Sequence, residues 1–320
     1  MIAVLRILAR RTALLVPLML GIVLFVFLVM RFSDVDPASA FFQGTSPTPR
    51  QLHDFRERSG LLDPLPVRYV RFVGALLHGD MGTSALTRAP VVEQVTTALP
   101  LTLQLTFLGL GIAVVLALLG GVTAAVHRDR LPDQIIRVLS LTGVAAPGFW
   151  LALLMIQYLA VGQGWFPAGG YVNPADSFTG WLKTMALPAF ALSLPVAAQL
   201  TRIVRTSVVE ELDKDYVRTA IGSGLPPRVV VGRNVLRNAL VNPLTVLGLR
   251  VGYLLGGAVV IETVFSLPGM GKLMIDAVQN GDPAVVQGVV LTTATGFVVV
   301  NLVIDILYLL VNPRLRDAVR

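Results

Sequence analysis

Six largely apolar stretches divide this chain, at about residues 12–30, 99–126, 135–161, 184–204, 243–264 and 284–311, and nothing else in the sequence constrains its fold as strongly. About 20 apolar residues in helical form cross the hydrocarbon of a bilayer, where backbone amides find no water and must bond within their own segment. Hydrophobic residues make up 54% of the 320 and charged residues only 14%, against roughly 25% charged in soluble domains. The expected class is therefore an all-α integral membrane protein with six transmembrane helices. Pro147 and Pro195 fall in the third and fourth stretches and should kink them, because proline removes a backbone bond. Cysteine is absent, which excludes disulfides and thiolate metal sites.

A net charge of +7 could suggest nucleic acid, but in a membrane protein the placement of the positive residues is what informs. With the N-terminus inside, Arg6, Arg10, Arg11, Arg128, Arg130, Arg137, Arg202 and Arg205, and the basic residues of 207–242, fall on short inner segments. The short outer loops hold only Lys183 and Lys272. That asymmetry places both termini in the cytoplasm. The chain then divides into a cytoplasmic N-terminus with the first helix (1–31), an extracytoplasmic segment (32–98), a five-helix core (99–311) containing a cytoplasmic loop (207–242), and a cytoplasmic tail (312–320). Ala38-Ser39-Ala40 looks like a signal cleavage site, but Arg31, Asp34 and Asp36 separate it from an apolar run longer than a signal core. Within the outer segment Val67, Val70, Val73 and Leu77 recur at helical spacing, with Arg68 and Arg71 off that face. A folded cap and a helix lying on the membrane both fit.

Lipid gives helices no hydrophobic reason to associate, so small residues that let backbones approach mark packing faces. Gly248, Gly252 and Gly256 form such a stripe in the fifth stretch, and Gly109, Ala113, Ala117 and Gly121 form one in the second. Arg250 and Asp305 lie about 10 Å in from the inner ends of the fifth and sixth stretches. A lone charge is costly there, so the two are expected to pair. Glu262, near the outer end of the fifth stretch, suits an outer gate or simple interfacial placement. Gln104, Gln157, Gln199 and Asn301 could line a polar path or bond between helices.

The loop 207–242 is the most informative stretch. Ser207 and Glu210 fit a capping box, unless the preceding helix runs on through them. Leu212, Tyr216 and Ala220 make one apolar face, and Glu210, Lys214 and Arg218 a charged stripe at i,i+4 spacing. Gly224-Leu225-Pro226-Pro227 ends the helix, since glycine accepts the left-handed cap and proline cannot continue. A second helix follows, with Val231, Val235, Ala239 and Leu240 on its apolar side. A basic helix–turn–helix on a membrane protein could dock a partner or touch lipid headgroups; DNA binding suits a loop tethered to two spans poorly.

These residues resemble the permeases of dipeptide and oligopeptide ABC importers. That family carries a cytoplasmic EAA–x3–G signature on a short coupling helix, and its peptide branch reads DY-hydrophobic-RTA-x3-GL. Asp215-Tyr216-Val217-Arg218-Thr219-Ala220 and Gly224-Leu225 fit that pattern, and Leu236-Arg237-Asn238-Ala239-Leu240 follows it. Other segments similar to the family include Leu61–Pro66 with Tyr69, Gly79-Asp80-Met81-Gly82, Pro147-Gly148-Phe149-Trp150, Trp165-Phe166-Pro167, Glu262–Gly271, Asp282-Pro283, Gly288 and Asp305 with Tyr308. Asn234 and Asn312 depart from it. The resemblance implies a type I importer permease in a bacterial inner membrane. It further implies a second homologous permease, two ABC ATPase subunits that hold ATP and Mg, an external substrate-binding protein and no cofactor on this chain. Asp215, Tyr216, Arg218, Thr219, Ala220, Gly224 and Leu225 would form the ATPase-coupling loop.

The chain has no GxxxxGK[ST] loop of its own. An ion-coupled secondary transporter is the competing reading, though internal repeats and mid-span acids are not evident. An intramembrane enzyme is a third, and HExxH is missing. Within the importer reading, peptides, nickel complexes and glutathione are all candidate substrates.

Overall fold

The computed structural model describes residues 17–29, 42, 47–58, 60 and 62–311, apart from the side chains of 58, 249 and 304–311. Nearly all of it is helical. The elements are α1 (Pro17–Val29), α2 (Pro49–Arg58), α3 (Leu65–Leu77), α4 (Val91–Val126), α5 (Leu131–Ala145), α6 (Gly148–Met155, continued by a π-helix over Ile156–Gly162) and α7 (Phe178–Leu212). Then come α8 (Asp215–Gly222), α9 (Pro227–Val229, a π-helical Val230–Val235 and Leu236–Ala239), α10 (Val241–Val264), α11 (Met270–Gln279) and α12 (Pro283–Val311). Three helices are long and apolar enough to cross a membrane singly: α4, α7 and residues Pro283–Val303 of α12. Two more spans arise if α5 with α6, bent by 104°, and the two halves of α10, bent by 44°, each count as one. α1 is a shorter apolar helix, and residues 12–16 of the expected first span lie outside the described residues.

The two flagged prolines behave differently. Pro147 caps α6, and Ala146 before it is extended (φ −76°, ψ 129°), as the proline ring demands of its predecessor. The chain breaks there. Pro195, with Pro188, sits inside α7, which continues unbroken for 35 residues. Most of the apolar window of α7 is buried, so packing against neighbouring helices holds the helix across the missing amides.

The chain forms two units, 1–102 with 268–299 and 103–267 with 300–320. In the first, Val91, Val95, Ala98, Met270, Ala277, Val285 and Val289 form a core. Gly288 permits it, because a Cβ there would stand 2.3 Å from Val91 Cγ1. Asp282 caps α12, accepting from the Val285 amide at 3.3 Å and from Ser84 Oγ at 2.5 Å. Thr102 Oγ1 accepts the Met270 amide at the start of α11 (2.8 Å). α3 lies on α1 through Tyr69, which stacks edge-on to Phe27 (5.7 Å) and donates to the Leu20 carbonyl (3.1 Å). The expected apolar face of α3 is mostly uncovered: Val67, Val70 and Leu77 are exposed, and Val73 is half-buried.

In the second unit α7 is the centre, packed on by α5, α6 and α10. The stripe on α4 closes as expected, with Ala113 and Ala117 buried and Gly121 so near Val204 that a Cβ would approach it to 2.7 Å. The stripe on α10 needs correction. Gly248 is buried and Gly252 half-buried, but Gly256 is exposed, with open space where a side chain would be; Gly257 makes the close approach, to Leu192. The buried face of α10 runs through Val251, Leu254, Leu255, Ala258 and Ile261, and Gly256 falls off it.

Candidate functional site

The segment after α7 folds as two short helices over one small core. α7 runs through Ser207 to Leu212, so no capping box forms; Ser207 is buried, and its hydroxyl accepts from Asn242 (3.4 Å). The helix then breaks at Asp213-Lys214. That break removes the i,i+4 register expected for Glu210, Lys214 and Arg218. Lys214 pairs with Glu211 instead (2.5 Å), and Arg218 reaches Asp215 at 3.7 Å.

Val217, Val230, Val235 and Ala239 bury themselves against Val204 and Val208 of α7 and Ala125 of α4. Leu212, Tyr216 and Ala220 pack around them. The apolar face read from the sequence thus turns inward and is part of the scaffold, with Val217 at its centre. Burying a side chain of this size contributes about 1.5–3 kcal/mol. On α9 the buried residue is Val230, where Val231 was expected. The π-helical turn explains the shift: its i→i+5 bonds bring Val230 and Val235 onto one face, and ordinary helical spacing then carries the face to Ala239.

Polar bonds lock the same arrangement. The Glu211 carboxylate accepts the Tyr216 hydroxyl (2.8 Å), and Asn238 Nδ2 donates to the Tyr216 oxygen (3.3 Å), tying α7, α8 and α9 together. Burial pushes the Tyr216 phenol above its ordinary pKa, and the Glu211 carboxylate raises that of the Lys214 ammonium. Arg128, in the turn after α4, holds Asp213 at 3.0 Å.

α8 ends as its sequence requires. Gly224 takes φ +84°, its amide donates to the Ile221 carbonyl (3.0 Å), and the Leu225 amide donates to the Ala220 carbonyl (3.3 Å). This is the paired bond pattern of a left-handed helix cap. With Tyr216 and Ala220 turned inward, the outer surface is made by Asp215, Arg218, Thr219, Ile221, Gly222, Gly224 and Leu225, all exposed. It combines a guanidinium, a hydroxyl and two large apolar side chains beside a rigid turn, and can seat a complementary protein surface.

The other candidates separate from this module. Gln104 is a structural joint: its amide oxygen accepts both Trp181 Nε1 (2.8 Å) and the Tyr171 hydroxyl (3.1 Å). Gln157 is exposed on the π-helix after α6 and Gln199 half-buried in α7; neither side chain makes a hydrogen bond among the described residues. Glu262 is fully buried within the protein. The turn after it is tight: Ser266 has φ +53°, and the Phe265 carbonyl accepts the Gly170 amide (3.1 Å). Arg250 is half-buried, its Nε enclosed without a hydrogen-bond partner among the described residues. The side chain of Asp305 lies outside the described residues.

Sequence reasoning missed Asp133 and Glu211. Asp133 is fully buried and receives Arg205 through Nε and Nη2, both at 2.6 Å, and Arg137 at 3.0 Å. The i,i+4 pair of Asp133 and Arg137 was visible, but Arg205 stands 72 positions away, and only the packing of α5 on α7 joins them.

Residues 117–317 match the family described as binding-protein-dependent transport system inner membrane component, and residues 4–106 match its N-terminal companion. The chain is 38% identical to the di/tripeptide transport system permease protein DppB of Pseudomonas aeruginosa, across 96% of this chain and 98% of that one. It is also 38% identical to a peptide transport system permease protein of Brucella abortus, with the same coverage. The glutathione transport system permease protein GsiC of Salmonella paratyphi A is 37% identical over 94% of this chain and 96% of its own length.

Proposed function

This chain belongs to the binding-protein-dependent transport system inner membrane components, and from that premise we propose that its α8–α9 pair seats the ATPase that drives peptide import. The chain is a multi-pass protein of the bacterial inner membrane and a permease subunit of an ABC importer. One observation carries the docking assignment: the signature residues Arg218, Thr219, Gly224 and Leu225 face outward around a rigid left-handed turn, while Tyr216, Val217 and Ala220 anchor that turn to α7. A push on the exposed face therefore travels into a long buried helix through a fixed joint. The partners follow from this: two ATPase subunits holding ATP and Mg, a second homologous permease completing the path, and an external binding protein that delivers substrate. The topology is six spans with both termini cytoplasmic.

Di- and oligopeptides are the substrate class, supported by the names of the di/tripeptide and peptide relatives. The glutathione relative favours a second reading, and glutathione is itself a tripeptide. Co-expression with candidate ATPase subunits tests the docking face. Arg218→Glu should cut ATPase copurification and peptide uptake severalfold while leaving the chain's melting temperature unchanged. Uptake driven by protons or sodium in this chain alone would sink the importer mechanism. Arg250 and Asp305 are proposed to clamp α10 to α12. Exchanging the two residues should restore transport lost in each single charge reversal, and a dead double mutant would disprove the pair.

A further inference from the structure

Between α5 and α7 lies a cavity of about 350 Å³, lined by Ile136, Arg137, Ser140 and Leu141 from one helix and by Arg202 and Arg205 among others from the second. Its polar chemistry is unbalanced. Arg137 and Arg205 share the buried Asp133 carboxylate, and Arg137 also lies 3.8 Å from the exposed Asp129. Arg202 makes no ion pair among the described residues and is exposed. Ser140, which lines the cavity, is only 5% exposed, and its hydroxyl makes no hydrogen bond to a described residue. Guanidiniums arranged around such a donor suit an anion with several oxygens, because the planar fork matches phosphate.

The surroundings select the source of that phosphate. On the cavity face of α5, Leu141 (50% exposed) in the cavity wall and Val144 about one turn further on present an apolar surface. A free anion has no use for it, whereas acyl chains do. Arg137 and Arg205 lie about 10 Å from the start of α5 and the end of α7, and basic pockets between spans at this level hold anionic headgroups. We propose that this cavity binds the phosphate of an anionic phospholipid of the cytoplasmic leaflet, contacted by Arg202, Arg137 and Ser140, with its acyl chains along Leu141 and Val144. The choice of leaflet rests on the orientation given under the proposed function.

The test uses the full-length chain with whatever subunits copurify, stripped of lipid and titrated with phosphatidylglycerol, phosphatidylcholine or inorganic phosphate under native mass spectrometry. Wild type should retain one phosphatidylglycerol in preference to phosphatidylcholine. Arg202→Gln, which leaves the Asp133 cluster intact, should bind it about tenfold more weakly, as should Ser140→Ala. Unchanged retention in both variants, equal retention of phosphatidylcholine, or displacement by inorganic phosphate would each overturn the assignment. The orientation is read separately. Because the chain has no native cysteine, Arg218→Cys should react with an impermeant maleimide in inverted vesicles and not in intact cells. Labelling in intact cells overturns the leaflet and the docking reading together, whichever lipid is retained.

Discussion

α8 and α3 are both short amphipathic helices attached to apolar ones, and they treat their apolar faces in opposite ways. α8 turns Tyr216, Val217 and Ala220 onto a core supplied by α7, α9 and α4, and shows polar residues and a turn to the outside. α3 has no buried residue and rests on α1 through Tyr69 and Phe72, leaving Val70 68% and Leu77 82% exposed. Periodicity identified both faces; it could not say which one the chain itself would cover. The distinction separates two kinds of surface: on α8 the apolar face is scaffold and the polar side is offered, and on α3 the apolar face is what is offered.

The sharpest way to break this contrast is to put the same charge into both faces. Val217→Asp buries an unpaired carboxylate in the α8–α9 core and should cost on the order of 3 kcal/mol or more, seen as a large fall in melting temperature together with loss of ATPase copurification. If the variant melts like wild type, the inward face has been misassigned. A smaller effect is expected at the turn. Gly224→Val forces a β-branched residue to φ +84° at about 1–2 kcal/mol, so ATP hydrolysis should persist while peptide uptake per ATP falls. Fully coupled transport in that variant would show that the left-handed cap does not set the docking geometry. The smallest change in stability belongs to Val70→Asp on α3, within about 0.5 kcal/mol. Its effect should appear instead as weaker attachment of the binding protein or of the membrane surface, measured by uptake at limiting binding protein.

Much of the architecture was legible because lipid permits so few solutions. Apolar length located α4, α7, α10 and α12, and glycine-proline chemistry fixed the end of α8 at Gly224. The packing stripe on α4 was legible for the same reason, since Ala113, Ala117 and Gly121 have no polar use in a span. The stripe on α10 was not: Gly256 and Gly257 are neighbours in sequence, and only the rotation of the helix against Leu192 decides which is used. The same limit applies to Pro147 and Pro195. One ends a helix and the other does not, because the second is enclosed by packed helices.

The sequence by itself determined that this chain lives in a bilayer, that a helical loop projects from its core, and that the loop turns at a glycine. Those features depend on local chemistry: transfer of apolar residues into lipid, and the dihedral freedom of one residue. Only the tertiary structure decided which side of α8 is free, moved the buried position on α9 from Val231 to Val230, and brought Arg205 to Asp133. Each of these depends on contacts between residues far apart in the chain, where a single extra residue in a helical turn changes which side chain is buried.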